Sequence, residues 1–270
     1  PLVYNTSEGY SYNLGLLIAK NFSNGFDFSA TYSFGDAFIL YDQTSSQNSS
    51  NWRGQPTVNG KNAPKSIGRS LFSQGHRVIA NLSYEINWNN NLRTQIGLFY
   101  SGTEGQPYSY TYRDGADLLN DDSRDNALIY VPASQSEITL EDPSNWSALN
   151  SFIENNDYLS ERRGDYVEKN ATRGPWTDIV DLRFVQDLIV SKNKLQFTFD
   201  IFNFTNFLNQ DWGRRYFVGS YGFAQPLRTV TAGPDPVFRW QEGSDDPRIT
   251  DFGFSGSRWR AQIGIRYTFK

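Results

Sequence analysis

The sequence predicts an all-β chain, part of a transmembrane antiparallel β-barrel, and three observations predict it. Apolar and polar residues alternate along segments of about ten residues, the length a tilted strand needs to cross a bilayer. The connections between these segments alternate between short turns and long loops. Aromatic residues gather at both ends of the segments. Aromatics make up 16% of the chain against 38% hydrophobic residues in all, so much of its apolar content is of the kind that suits a pleated surface.

The bulk numbers exclude several classes. Mean hydropathy is −0.59 and there is no run of about 18 apolar residues, which rules out a helical membrane protein. It does not rule out a barrel, whose strands are half polar and whose loops are wet. With no cysteine, neither disulfides nor thiolate metal sites can form. A net charge of −4 argues against nucleic acid as a partner. The sequence opens at Pro1 and holds no methionine, and is read as a mature or partial chain.

The first strand is marked by Tyr10, Tyr12, Leu14, Leu16 and Ile18, alternating with Ser11, Asn13 and Gly15. Asn24-Gly25 supplies the positive-φ residues of a hairpin turn. Phe26, Phe28, Ala30, Tyr32 and Phe34 then alternate with Asp27, Ser29, Thr31 and Ser33. Residues 42–75 lack periodicity and read as a long loop. A second hairpin follows, with Val78, Ala80, Leu82, Tyr84, Ile86 and Trp88 leading down to a turn at Asn89–Asn91. Leu92, Thr94, Ile96, Leu98 and Tyr100 lead back.

Residues 103–175 read as a longer irregular segment, with a short helix expected around Asn145–Asn155 after Pro143-Ser144. The third hairpin places Val180, Leu182 and Phe184 before a turn at Ser191–Lys194, and Leu195, Phe197, Phe199 and Ile201 after it. A last long loop, 209–257, leads to the final strand. There Trp259, Ala261, Ile263, Ile265, Tyr267 and Phe269 face one way, and Arg260, Gln262, Gly264, Arg266 and Thr268 the other.

Seven strands result, with turns on one side and long loops on the other, the layout of outer-membrane barrels. A periplasmic C-terminus then makes every short turn periplasmic and every long loop extracellular. Tyr10, Phe34, Tyr100, Trp176 and Trp259 mark the outer boundary, and Phe22, Trp88, Tyr267 and Phe269 the inner one. A soluble β-sandwich also alternates, but it explains neither the loop asymmetry nor strands of ten residues or more. Seven strands cannot close a bacterial barrel, so they are expected to belong to a larger one.

Three stretches carry a resemblance: Asn170-Ala171-Thr172-Arg173-Gly174-Pro175-Trp176 with Val180-Asp181-Leu182-Arg183; Asp200-Ile201-Phe202-Asn203-Phe204-Thr205-Asn206-Phe207-Leu208-Asn209; and Asp211-Trp212-Gly213. Gly105-Gln106-Pro107-Tyr108-Ser109-Tyr110 and Leu128-Ile129-Tyr130-Val131-Pro132 fit the same pattern. Over roughly residues 76–270 the chain resembles the C-terminal barrel of TonB-dependent outer-membrane receptors of Bacteroidota, of the Oar-like or SusC-like kind. That resemblance implies a 22-stranded barrel, of which 1–270 is the C-terminal part. It also implies a plug domain outside these residues and a transporter driven through the TonB complex, whose contact segment also lies outside them. Outer-membrane lipid, lipopolysaccharide and a surface lipoprotein are the other partners expected.

Candidate site residues follow from side-chain chemistry. Trp52, Tyr108, Tyr110, Tyr112, Arg173, Trp212, Arg214 and Arg215 are loop aromatics and arginines, the residue types that binding surfaces use. The segment 113–126 carries Asp114, Asp117, Asp121, Asp122 and Asp125, oxygen donors for a candidate calcium ion. Its spacing departs from that of a regular calcium loop, and a solvated acidic loop is the alternative. No other cofactor is expected. Asn203, Asn206 and Asn209 are expected to bond backbone where the strand loses register. Gly264, Tyr267 and Phe269 resemble the terminal signal that barrel-assembly machinery reads. The one histidine, His76, leaves no triad or metal cluster to build, so catalysis is not expected. The functional expectation is ligand capture by the extracellular loops and import through a plugged barrel. The alternative is a structural barrel subunit of an assembly or secretion complex.

Overall fold

The computed structural model describes residues 5–63, 67–113, 115–218, 222–243, 248–249 and 256–269. Seven long strands form one antiparallel sheet in chain order. They are β1 (Tyr10–Asn21), β2 (Phe26–Ile39), β3 (Gly75–Asn89), β4 (Leu92–Thr103), β5 (Thr177–Val190), β6 (Asn193–Phe202) and β7 (Arg260–Thr268). Among the described residues, β1 and β7 are the edges of this sheet.

The hairpin turns fall where short polar segments interrupt the alternation. In the first, Phe22 N–H donates to Phe26 O at 2.8 Å and Gly25 takes φ +91°. A Cβ on Gly25 would come within 2.5 Å of the Glu85 carbonyl, so only glycine fits this turn beside β3.

Register turns the sequence alternation into two continuous faces. Phe26, Tyr84, Ile96, Phe184, Phe199 and Ile263 stand in line across six strands, and Phe28, Leu82, Leu98, Leu182, Ile201 and Ala261 form the next row. Phe26 and Tyr84 stack at 4.2 Å. On the opposite face Asn87, Arg93, Asp187, Gln196 and Arg266 form a polar row. Asp187 anchors it: Arg93 Nη2 and Lys194 Nζ each lie 2.6 Å from its Oδ2, and Gln196 donates to its Oδ1 at 2.8 Å.

The long loops depart from the irregular structure expected of them. A second sheet is built from Thr172–Arg173, Pro107–Arg113, Phe223–Thr231, Val237–Trp240 and Thr139–Leu140, in that order. Among the described residues four α-helices lie in the loops: α1 (Asn48–Arg53), α2 (Trp146–Glu154), α3 (Asp157–Ser160) and α4 (Phe204–Leu208). The strand Phe223–Thr231 runs parallel to Pro107–Arg113, so the last long loop is stitched to the one before it. The main hydrophobic core lies in this module, around Tyr110, Ile129, Val131, Leu149, Leu159 and Leu227. The molecule thus carries its apolar interior in its loops and shows its strands' apolar face outward. That inversion is what lipid as solvent requires.

Candidate ligand-facing surface

A charged cluster joins the loop module to the long strands. Asp36 interrupts the apolar face of β2 beyond Phe34, and Arg69 meets it through Nε at 3.0 Å. Arg69 Nη1 also donates to the carbonyls of Asn170 and Ala171 at 3.2 and 2.9 Å. Arg173 reaches Asp36 at 3.6 Å and Glu104 at 3.6 Å, and donates to Ser73 Oγ at 2.6 Å. Ser73 Oγ in turn donates to Asp36 Oδ1. Beside this group, Lys169 Nζ sits 2.9 Å from Asp42 Oδ2, with both side chains more than nine-tenths buried.

Asn170 occupies the centre of the junction with φ +51°. Its Nδ2 donates to Arg69 O at 2.8 Å and its Oδ1 accepts from Ser109 Oγ at 2.9 Å. Sequence reasoning missed Asp36, Asp42, Arg69 and Lys169. The signal for Asp36 was present: a carboxylate at an apolar-face position of an otherwise regular strand.

Several expected ligand contacts prove to be structural. Tyr108, Tyr110 and Tyr112 are buried in the loop core, Tyr110 at 2% exposure, because Pro107–Arg113 is a central strand covered on both faces. Burial pushes the Tyr112 phenol well above the usual range. Arg173 is also held inside, and burial lowers its guanidinium pKa against the opposing pull of Glu104. Trp52 packs within its own loop, donating from Nε1 to Lys61 O at 3.1 Å with Lys61 Nζ 4.7 Å from its ring centroid. Trp212 and Arg215 are exposed, while half-buried Arg214 pairs with Asp211 and donates to Gln210 O at 3.1 Å.

The described part of the acidic segment engages its carboxylates with neighbouring donors. Asp114 lies outside the described residues. Asp121 Oδ2 accepts from Lys61 N at 2.5 Å and its Oδ1 from Ser123 N at 2.8 Å. Asp117 accepts from Asp122 N at 2.7 Å, and Asp125 from Gln225 Nε2 at 3.0 Å. Asp117, Asp121 and Asp125 thus each accept from a neighbouring donor, while Asp117 Oδ1 is buried without a protein donor. Among the described residues no three acidic, histidine or cysteine side chains converge as metal ligands.

Two concavities offer polar contacts. One of about 420 Å³ lies between the loops and is lined by Gln55, Arg162, Tyr166, Glu168 and Lys169, among others. Gln55 Oε1 is buried there without a protein donor, the kind of group that a bound solute or water satisfies. The other, about 480 Å³, lies on the sheet and includes Asn81, Gln95, Asp181, Arg183 and Asp200. Arg183 and Asp200 lie 3.7 Å apart across β5 and β6.

The asparagines after β6 hold backbone. Asn203 takes φ +54°, which ends the strand, and its Nδ2 donates to Gly213 O at 2.9 Å. Asn206 Nδ2 donates to Gln210 O and Trp212 O at 3.0 and 2.9 Å, and its Oδ1 accepts from Trp259 N at 3.2 Å. Asn209 Oδ1 accepts from Asp211 N at 2.9 Å. In the middle of β7, Gly264 lies against Thr198, whose Oγ1 would sit 2.5 Å from an added Cβ. Tyr267 and Phe269 stay exposed, with ring centroids 6.1 Å apart.

Compared with known families, residues 2–223 match the model described as "Outer membrane beta barrel domain". No curated protein matches the chain, and no solved structure does.

Proposed function

The chain belongs to the outer membrane beta barrel domain family, and from that premise we propose that it is the C-terminal barrel portion of a TonB-dependent receptor of the Bacteroidota type. In this reading the seven strands are part of a 22-stranded barrel around a plug, with the short turns and the C-terminus periplasmic. The long loops capture a ligand outside the cell, and the TonB complex drives its passage. One observation carries the reading: every long loop leaves the same end of the sheet, and the later two fold together into one module.

The stretches that resemble such receptors lie at structurally committed places. Asn170 to Trp176 lock the module to the strands, and Asp200 to Gly213 form the exit from β6. The polar row around Asp187 suits contact with a plug, and the inter-loop cavity at Gln55 suits first contact with a ligand.

The test is uptake by cells whose full-length protein lacks the TonB-contacting segment. Import should stop while surface binding persists. Unchanged uptake would refute active transport. A scaffold in an outer-membrane assembly or secretion complex is the second reading, favoured by a loop module with a core of its own, the makings of a rigid docking platform. It predicts stable co-purification with other envelope proteins, a surface lipoprotein among them, and no dependence on TonB.

A further inference from the structure

We propose that α4 and the two tryptophans beside it form a fixed anchor in the outer leaflet of the membrane, its apolar side chains seated at the boundary between headgroups and acyl chains. The helix begins immediately after β6, whose last ladder pair is Phe202 with Arg260. It therefore sits at the rim of the sheet, just above the apolar rows. Phe207, Leu208 and Trp212 are 50%, 59% and 53% exposed, and Trp259 is 44% exposed.

The side of the sheet on which this cluster lies follows from register. Trp259 precedes β7 by one residue and continues the outward series Ala261, Ile263, Ile265 and Tyr267 by strand alternation. Phe207 packs edge-on against Trp259 with centroids 4.9 Å apart. The cluster thus extends the apolar face of the sheet beyond β6 and β7, at the same end of the sheet as the rim aromatics Tyr100 and Trp176, which share Asp178 as hydrogen-bond acceptor. Tryptophan and phenylalanine at that height are what a membrane interface accommodates.

The cluster is held in place. Asn206 ties together the backbone of Gln210, Trp212 and Trp259, and Asn203 fixes Gly213. A segment bonded this way cannot fold its apolar side chains inward to escape water, so in water their burial stays incomplete. Lipid next to the strands' apolar face supplies that burial without rearrangement. The occupant is the outer leaflet itself, and the consequence is that the root of the last long loop stays at a fixed height above the bilayer.

The test places a nitroxide at position 208 by Leu208→Cys in the full-length protein, any other cysteines replaced, in vesicles of phosphatidylethanolamine and phosphatidylglycerol. Phe207→Cys gives an independent reading, and Asp235→Cys, on an exposed loop, the aqueous reference. Oxygen should relax the labels at 207 and 208 more strongly than a water-soluble nickel chelate does, with the reverse order at 235. Preferential access by the nickel chelate at 207 and 208 would overturn the proposal, because the cluster would then face water. So would low access by both reagents, because the cluster would then be covered by protein.

Discussion

Replacing either member of the Lys169–Asp42 pair should open the junction between loops and strands, and the two replacements should not cost the same. The pair is 2.9 Å long, and both side chains are nearly inaccessible. At an effective dielectric of about 20 its gross attraction is about 6 kcal/mol, most of it offset by desolvation. Removing one partner leaves a buried charge, at a cost of about 3–5 kcal/mol.

Asp42 has other donors, Ser70 Oγ at 2.7 Å and Leu71 N at 2.9 Å. Among the described residues Lys169 has only Leu40 O at 3.4 Å besides. Asp42→Asn should therefore cost more than Lys169→Met, and the double variant should recover most of the loss. The assay is hydrogen exchange in the full-length protein, over the segments around residues 70 and 169. Asp42→Asn should lower protection there by about two to three orders of magnitude at 1.4 kcal/mol per decade. Protection unchanged in both single variants, or losses that simply add in the double, would refute the reasoning.

A charge placed on the outward row should be costly where its inward neighbour tolerates one. Phe199→Arg is expected to lose about 2–4 kcal/mol of folding stability in bilayers and Thr198→Arg far less, as read from urea unfolding midpoints. The loop core should weaken at alkaline pH. Burial raises the pKa of Tyr112, so its neutral form stabilises the fold fully below about pH 10, and that contribution falls as pH climbs and the unfolded chain ionises. Tyr112→Phe should remove this pH dependence from exchange in residues 107–113. Deleting Phe269 and Lys270 from the full-length protein should reduce the folded barrel recovered from outer membranes, judged by heat-modifiable mobility on gels. Normal recovery would show that Phe269 is not part of an assembly signal.

The long strands were legible because each needs only its own alternation and a local turn. Phe26 to Phe34 and Leu195 to Ile201 declare a face without reference to any distant residue, and Asn24-Gly25 declares the turn. In the loop module the helix expected around Asn145–Asn155 was legible and appears as α2, but the sheet was not, because its pairings are non-local. Tyr108, Ser109, Tyr110, Thr111 and Tyr112 alternate as a strand does, yet their partner begins at Phe223 and runs parallel to them.

A buried tyrosine and a ligand-facing one look alike in sequence, since both are amphipathic and both suit loops that bind. The charged junction was hidden for a similar reason. Arg69 is an ordinary polar loop residue until Asn170, far along the chain, arrives beside it.

The central claim is that one face of the seven-stranded sheet meets lipid and the other does not. The most direct measurement is single-cysteine scanning through β6, from Leu195 to Ile201, in the full-length protein in native outer membranes. The reagent is a water-soluble maleimide. Cysteines at Gln196, Thr198 and Asp200 should react, and those at Leu195, Phe197, Phe199 and Ile201 should not. Uniform reaction along the strand, or the opposite phase, would contradict the account.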